Sequence, residues 1–242
     1  MRELKILAVV VALTLITYWG VEPYAHHEMH PPVAPADFAF SDVKESVADV
    51  TALEGNATSG EALVTANCTA CHSIESKGFP QVMDNASSGS AYGVTPPDLG
   101  SAGKLYNATY LAAFIKDPAT ASRVAHKFVD GRAHPMPSYN WMQPQEIADM
   151  VAYLKSIAPK EMTNKEVFTD SCQRCHAIKY ADMKGGSMAA FTPKDDVKHY
   201  MGKLPPDLSQ YIKSRGHHYL ETFINSPEKH LEGTAMPRVG LN

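Results

Sequence analysis

The sequence has no surplus of basic charge: 22 Lys and Arg stand against 26 Asp and Glu, a formal net charge of -4. Nucleic-acid binding normally needs a strongly basic domain or stripe, so nucleic acid is set aside as a partner. Long apolar runs are equally scarce. One uninterrupted run, Ile6 to Val21, opens the chain, and a single such run excludes a polytopic membrane protein. Cysteine is confined to 4 positions, all inside two pentapeptides, which leaves no thiol elsewhere for a disulfide framework. What remains is a chain of 242 residues, 44% hydrophobic and 20% charged, with room for two folded domains.

The apolar run follows Arg2 and Lys5 and ends among Tyr18, Trp19 and Tyr24. No small-x-small cleavage pattern follows it, and the aromatic cluster suits a membrane interface. Residues 1–24 therefore read as a retained anchor in contact with lipid of the cytoplasmic (inner) membrane, rather than as a cleaved signal peptide. The basic flank keeps the N-terminus in the cytoplasm and sends the rest of the chain to the periplasm. Residues 25–57 are rich in proline, histidine and acids without a sustained apolar period, which reads as a solvated tether. His26, His27 and His30 complete no metal-ligand set there.

All four cysteines sit in Cys68-Thr69-Ala70-Cys71-His72 and Cys172-Gln173-Arg174-Cys175-His176. C-x-x-C-H is the pattern of covalent haem attachment: two thiols add to the vinyl groups and the adjacent imidazole reaches the iron. A thioredoxin-like redox pair needs no following histidine, and zinc-binding pairs lie far closer together than these two. The pattern predicts two covalently bound haem c groups, attached at Cys68, Cys71, Cys172 and Cys175, with His72 and His176 as axial ligands of iron.

The segments that follow repeat. Pro96-Pro97-Asp98-Leu99 precedes Tyr110-Leu111 and Phe114-Ile115, and Pro205-Pro206-Asp207-Leu208 precedes Tyr219-Leu220 and Phe223-Ile224 at the same spacing. Those apolar pairs predict a short amphipathic helix in each copy. Thr58-x-x-Glu61 and Thr163-x-x-Glu166 read as capping boxes that open the cysteine-bearing helices. Met136 and Met236, each followed by proline, are the expected second axial ligands, and a thioether there raises the reduction potential. His134 and the His217-His218 pair are competing ligands; the other methionines read as core filler or surface. Asn85 to Ser90 reads as a Ser/Gly-rich excursion, and Arg123, Lys127 and Arg132 as candidate propionate or partner contacts beside an ordinary solvated loop.

An all-α architecture follows, with one unit at 58–160 and a second at 161–242. In the first, Ile147, Met150, Val151 and Leu154 mark one face of a helix that begins near Pro144 and is expected to pack on the cysteine-bearing helix. The second has six residues after Met236, too few for that closing helix. Further sequence or a partner subunit is expected to cover the gap.

With these features the chain resembles class I c-type cytochromes, once fully over about 58–157 and once incompletely over about 163–242. An anchor running into Gly20-Val21-Glu22-Pro23-Tyr24-Ala25-His26, followed by two such units, is similar to the dihaem, cytochrome c1-like subunit of some bacterial quinol-cytochrome c reductases. The resemblance implies electron transfer from a Rieske iron-sulfur protein to a periplasmic cytochrome c or an oxidase, beside a cytochrome b subunit. No catalytic residue and no substrate chemistry of its own are expected. An anchored dihaem carrier or oxidase subunit outside that complex is the alternative, and a dihaem redox enzyme with an open haem is the second alternative.

Overall fold

The apolar run folds as helix α1, Arg2–Met29, with a mean hydropathy of 2.0 over its most apolar stretch and none of that stretch buried. The computed structural model describes residues 2–29, 35–129, 131, 133–185 and 194–242; His30, Arg132 and Met188 lie outside them. At 1.5 Å per residue, α1 is about 40 Å long, enough for a hydrocarbon core of about 30 Å. A membrane anchor and a signal sequence share that profile. The helix outruns the expected boundary at Tyr24 and carries His26 and His27. A wider π-helical turn, Thr17–Val21, precedes Pro23, where the proline ring would otherwise meet the carbonyl one turn back.

Compact units cover residues 1–35 and 36–242. Among the described residues the second is helical, with isolated bridges Ile74↔Phe79, Tyr106↔Leu241 and Ile178↔Met183 in place of strands. Its core lies where helix α2, Ala57–Asn67, meets helix α4, Pro144–Ile157, alongside helix α3, Ala108–Lys116. The expected face of α4 is the observed one: Ile147, Met150, Val151 and Leu154 are all buried. Pro144 begins the helix, and a Gln143–Glu146 capping box closes its first turn. The backbones of α2 and α4 touch. A Cβ on Gly60 would stand 2.0 Å from the Asp149 carbonyl oxygen, so only hydrogen fits at that crossing.

The stretch expected to be a tether is part of the core. Phe40, Val43, Val47 and Val50 are each under a tenth exposed, on short helical turns at Ser41–Lys44, Glu45–Val47 and Ala48–Thr51. Their spacing of three, four and three residues is helical, but prolines and acids around them mask it in the average composition. We call residues 37–51 the strap. Asp42 on the strap receives Arg238 through two hydrogen bonds, 2.8 and 2.6 Å, and Arg123 at 2.8 Å. Arg123 also pairs with Glu228, and Arg238 stacks on Phe40 with 4.6 Å from guanidinium carbon to ring centre. Asp37 and Asn225 exchange two more bonds, both 3.0 Å.

Helix α5, Asn164–Ser171, buries none of its residues. Helix α6, His217–Asn225, buries only Thr222 and Asn225. The residues after Met236 turn toward α3 instead. Arg238 N–H donates to Ser122 O, Asn107 N–H to Gly240 O and Asn242 N–H to Leu105 O, all at 2.8–2.9 Å. Gly240 passes so close to the Tyr110 ring that a Cβ would overlap it. The expected excursion after Met83 is also structured: Asn85–Tyr92 is a helix capped by the Asp84 side chain.

Gly60→Ala is expected to lower stability by about 3 kcal/mol, the upper end of overpacking costs, read as a fall of roughly 10 °C in Tm. Asp42→Asn is expected to cost about 2 kcal/mol. Arg238 is left buried with a weaker partner, but 38% of the Asp42 side chain meets water and screens part of the loss. Burial alone would raise the Asp42 carboxyl, yet hydrogen bonds and charge from Arg238 and Arg123 outweigh it and hold the group well below the usual carboxylate range. Its contribution is therefore complete above about pH 4 and lost as pH falls toward the lowered folded value. Acid unfolding of Asp42→Asn should converge with that of the parent chain at the lowest pH.

Candidate functional site

Each cysteine segment continues a helix by one further turn. Cys68 N–H donates to Val64 O, the last turn of α2, and His72 N–H folds back to Cys68 O, both at 2.8 Å. The second segment repeats this: Cys172 N–H to Phe168 O and His176 N–H to Cys172 O, both at 2.9 Å. Cys68, Cys71 and Cys172 are free thiols. Cys71 is exposed and the other three are half-buried. Burial pushes the Cys68 thiol up to about 12 and raises Cys172 and Cys175.

Both histidines are held from behind. His72 Nδ1–H donates to Pro97 O at 2.7 Å, and His176 Nδ1–H to Pro206 O at 2.8 Å. Burial lowers the pKa of both rings, against the opposing effect of those carbonyls, so the neutral form prevails with Nε2 left to present a lone pair. The repeated Pro-Pro-Asp-Leu sequence builds this support. Asp98 accepts from Glu75 N–H at 2.9 Å and Gly100 N–H at 2.7 Å; Asp207 accepts from Lys179 N–H at 3.0 Å and Ser209 N–H at 3.1 Å. Leu99 N–H reaches Ser73 O and Leu208 N–H reaches Ala177 O. The repeat is plain in the sequence, but that each aspartate pins the proline carbonyl behind a histidine needs the hydrogen bonds.

Met136 and Met236 are both half-buried. Met136 N–H donates to His134 Nδ1 at 3.1 Å, and Met236 N–H to Thr234 Oγ1 at 3.2 Å. His134 thus spends one ring nitrogen on the methionine loop, with its ring edge-on to Phe114 and Phe128. The two methionine loops meet where His126 Nε2 approaches Thr234 O at 3.1 Å. His217 and His218 open α6 on the exposed side. Arg123 serves the strap, and Lys127 Nζ donates to Met201 O at 3.4 Å. Of the other methionines, Met142 and Met150 are core, 6% and 1% exposed.

Two residues not singled out from sequence bear on this region. Tyr139 O–H donates to Asn67 O at 2.8 Å, at the end of α2. Arg174, inside the second cysteine pair, donates through Nη2 to Thr95 O and so ties that segment to the loop behind His72. The helix starts also differ from expectation at one end. Thr163 and Glu166 form the expected capping box, but α2 is capped by Asn56, whose side chain accepts from Thr58 N–H and Ser59 N–H at 2.9 and 3.1 Å. Thr58 lies inside the helix, because Asn56 offers the same carbonyl two residues earlier.

The donors fit a covalently held haem: a pair of cysteines, an imidazole whose far nitrogen is uncommitted, and a half-buried thioether in each half of the unit. The cytochrome c family model matches residues 57–158. A cytochrome c-553-like protein of Synechocystis sp. is 30% identical over 125 residues, covering 52% of this chain and 91% of that protein. No solved structure matches the chain.

Asn56→Ala and Thr163→Ala are each expected to cost about 1 kcal/mol in denaturant unfolding, as lost N-caps do, with Thr58→Ala close to neutral. A loss at Thr58 equal to that at Asn56 would place the cap where the sequence put it.

Proposed function

Since this chain belongs to the cytochrome c family, binds haem c covalently and serves electron transfer, we propose that it is a membrane-anchored dihaem cytochrome. In this reading Cys68 and Cys71 would hold one haem and Cys172 and Cys175 the other, with His72 and Met136 offered to the iron of the first and His176 and Met236 to that of the second. Haem iron supplies one-electron chemistry when bound. The protein's part is positioning. Pro97 and Pro206 fix the tautomer and direction of the two imidazoles, the aspartates below them hold those carbonyls still, and the thioethers would close a bound haem iron to outside ligands and favour its reduced state. The support for two haems is the repetition itself: the same turn, the same histidine-to-proline bond and the same aspartate anchor occur at both motifs.

Helix α1 then anchors the chain in the inner membrane with the haem-bearing unit in the periplasm. The role that suits an anchored two-centre relay is the cytochrome c1-like subunit of a quinol-cytochrome c reductase, beside cytochrome b and Rieske subunits. It takes electrons from the Rieske protein and passes them to a periplasmic cytochrome or oxidase. A carrier outside that complex shares every motif, and only association separates the two.

Haem content of the purified full chain is expected to be two per polypeptide by pyridine haemochromogen assay, falling to one in Cys172→Ser/Cys175→Ser. One haem in the parent chain refutes the dihaem reading. Solubilised native membranes should yield the chain together with haem b and an iron-sulfur signal; recovery alone favours the independent carrier. Carbon monoxide binding by the reduced parent protein would favour an enzyme with an open iron.

A further inference from the structure

Arg174 stands between the two cysteines of the second motif, yet its guanidinium reaches the loop behind the first motif's histidine. Nη2 donates to Thr95 O, two residues before the Pro97 carbonyl that accepts from His72. Its Nε is buried without a hydrogen-bond partner, and so is Gln81 Nε2. Both side chains line one cavity of about 190 Å³, which Glu75, Asp98 and Asp170 also border. Among the described residues, no carboxylate comes within ion-pair distance of Arg174. A guanidinium stays protonated at any pH the protein meets, and its charge is felt furthest where water is scarce and no counter-ion is in contact.

We propose that Arg174, supplied by the second C-x-x-C-H motif, is a positioning residue for the first haem centre: it clamps the carbonyl segment behind His72 and holds there a positive charge that favours reduced iron. The proposal rests on the reading that Cys68, Cys71 and His72 carry haem. Charge and clamp act in opposite directions. Oxidised iron carries one more positive charge than reduced iron, so a nearby cation raises the potential. A firmer bond from His72 to Pro97 makes the imidazole more basic and lowers it. The charge is the larger effect, because the Pro97 carbonyl is also held through Asp98 and the backbone pair of Leu99 with Ser73.

The test is a redox titration of the full chain in detergent, with the first centre identified as the wave that Met136→His displaces. Arg174→Gln is expected to lower the reduction equilibrium constant of that wave about tenfold, a shift of about 59 mV for one electron. Arg174→Lys keeps the charge and loses the fork, so its wave should stay within about twofold of the parent value. An unmoved or raised wave in Arg174→Gln overturns the proposal, as does a lysine variant that behaves like the glutamine one. Should Arg174→Gln fail to take up haem, Arg174→Lys decides alone, and a tenfold change in either direction overturns the proposal. Haem counting on the same samples separates the two failures. Two haems with an unmoved wave removes the role of Arg174 alone. One haem per chain removes the dihaem reading while the first-centre wave still reports on Arg174.

Discussion

Arg238 is 2% exposed, and a buried guanidinium is costly unless its donors are taken up. Asp42 takes two of them, and the Phe40 ring covers the face of the cation. These partners belong to a strap that precedes the first cysteine by some two dozen positions, whereas Arg238 directly follows the second methionine loop. Closing this one pair thus joins the two ends of the unit around α3. Phe40 adopts a left-handed backbone at φ 53°, a strained conformation for an aromatic residue. The Asp37 carboxylate, which accepts from Ala39 and Ser41 N–H, holds that turn in place. Arg123, itself at φ 57°, adds a second cation between Asp42 and Glu228. Removing Asp42 therefore leaves the buried Arg238 without an acid and Arg123 with Glu228 alone, which is why the pair matters more than an exposed ion pair of equal length.

What the sequence made legible follows from how local each feature is. The face of α4, the Pro144 helix start and the Thr163–Glu166 capping box are set by residues within one or two turns of each other, and they read correctly. The Tyr110 and Tyr219 helices do too, since a pair of apolar residues repeated four positions on needs no distant partner to be recognised. The strap did not read correctly. Phe40, Val43, Val47 and Val50 give only four apolar positions on three broken turns, and the surface that buries them is more than fifty residues away in α3 and α4. The Asp84 cap was missed because serine and glycine are weak helix formers, yet Asp84 accepts from Ala86 and Ser87 N–H and starts the helix regardless. Asp42 with Arg238 and Arg174 with Thr95 are long-range pairs, and a single sequence carries no mark of either.

The two cysteine motifs are built alike but braced differently. Behind the first, α2 lies against α4 so closely that Gly60 has room only for hydrogen, and the Cys68 turn inherits the rigidity of that crossing. Behind the second, α5 buries no residue, so its turn must be steadied from elsewhere. The described contacts that brace it include Asp207 under the Pro206 carbonyl, and Arg174 reaching across to Thr95. The latter is borrowed from the first motif's own histidine loop. A displacement of the Cys172 segment therefore pulls on the carbonyl segment behind His72, whereas a displacement of α2 is resisted by α4. The second motif is thus held against the first by long-range ties, among them Arg174 to Thr95, Asp42 to Arg238 and the Asp37–Asn225 pair.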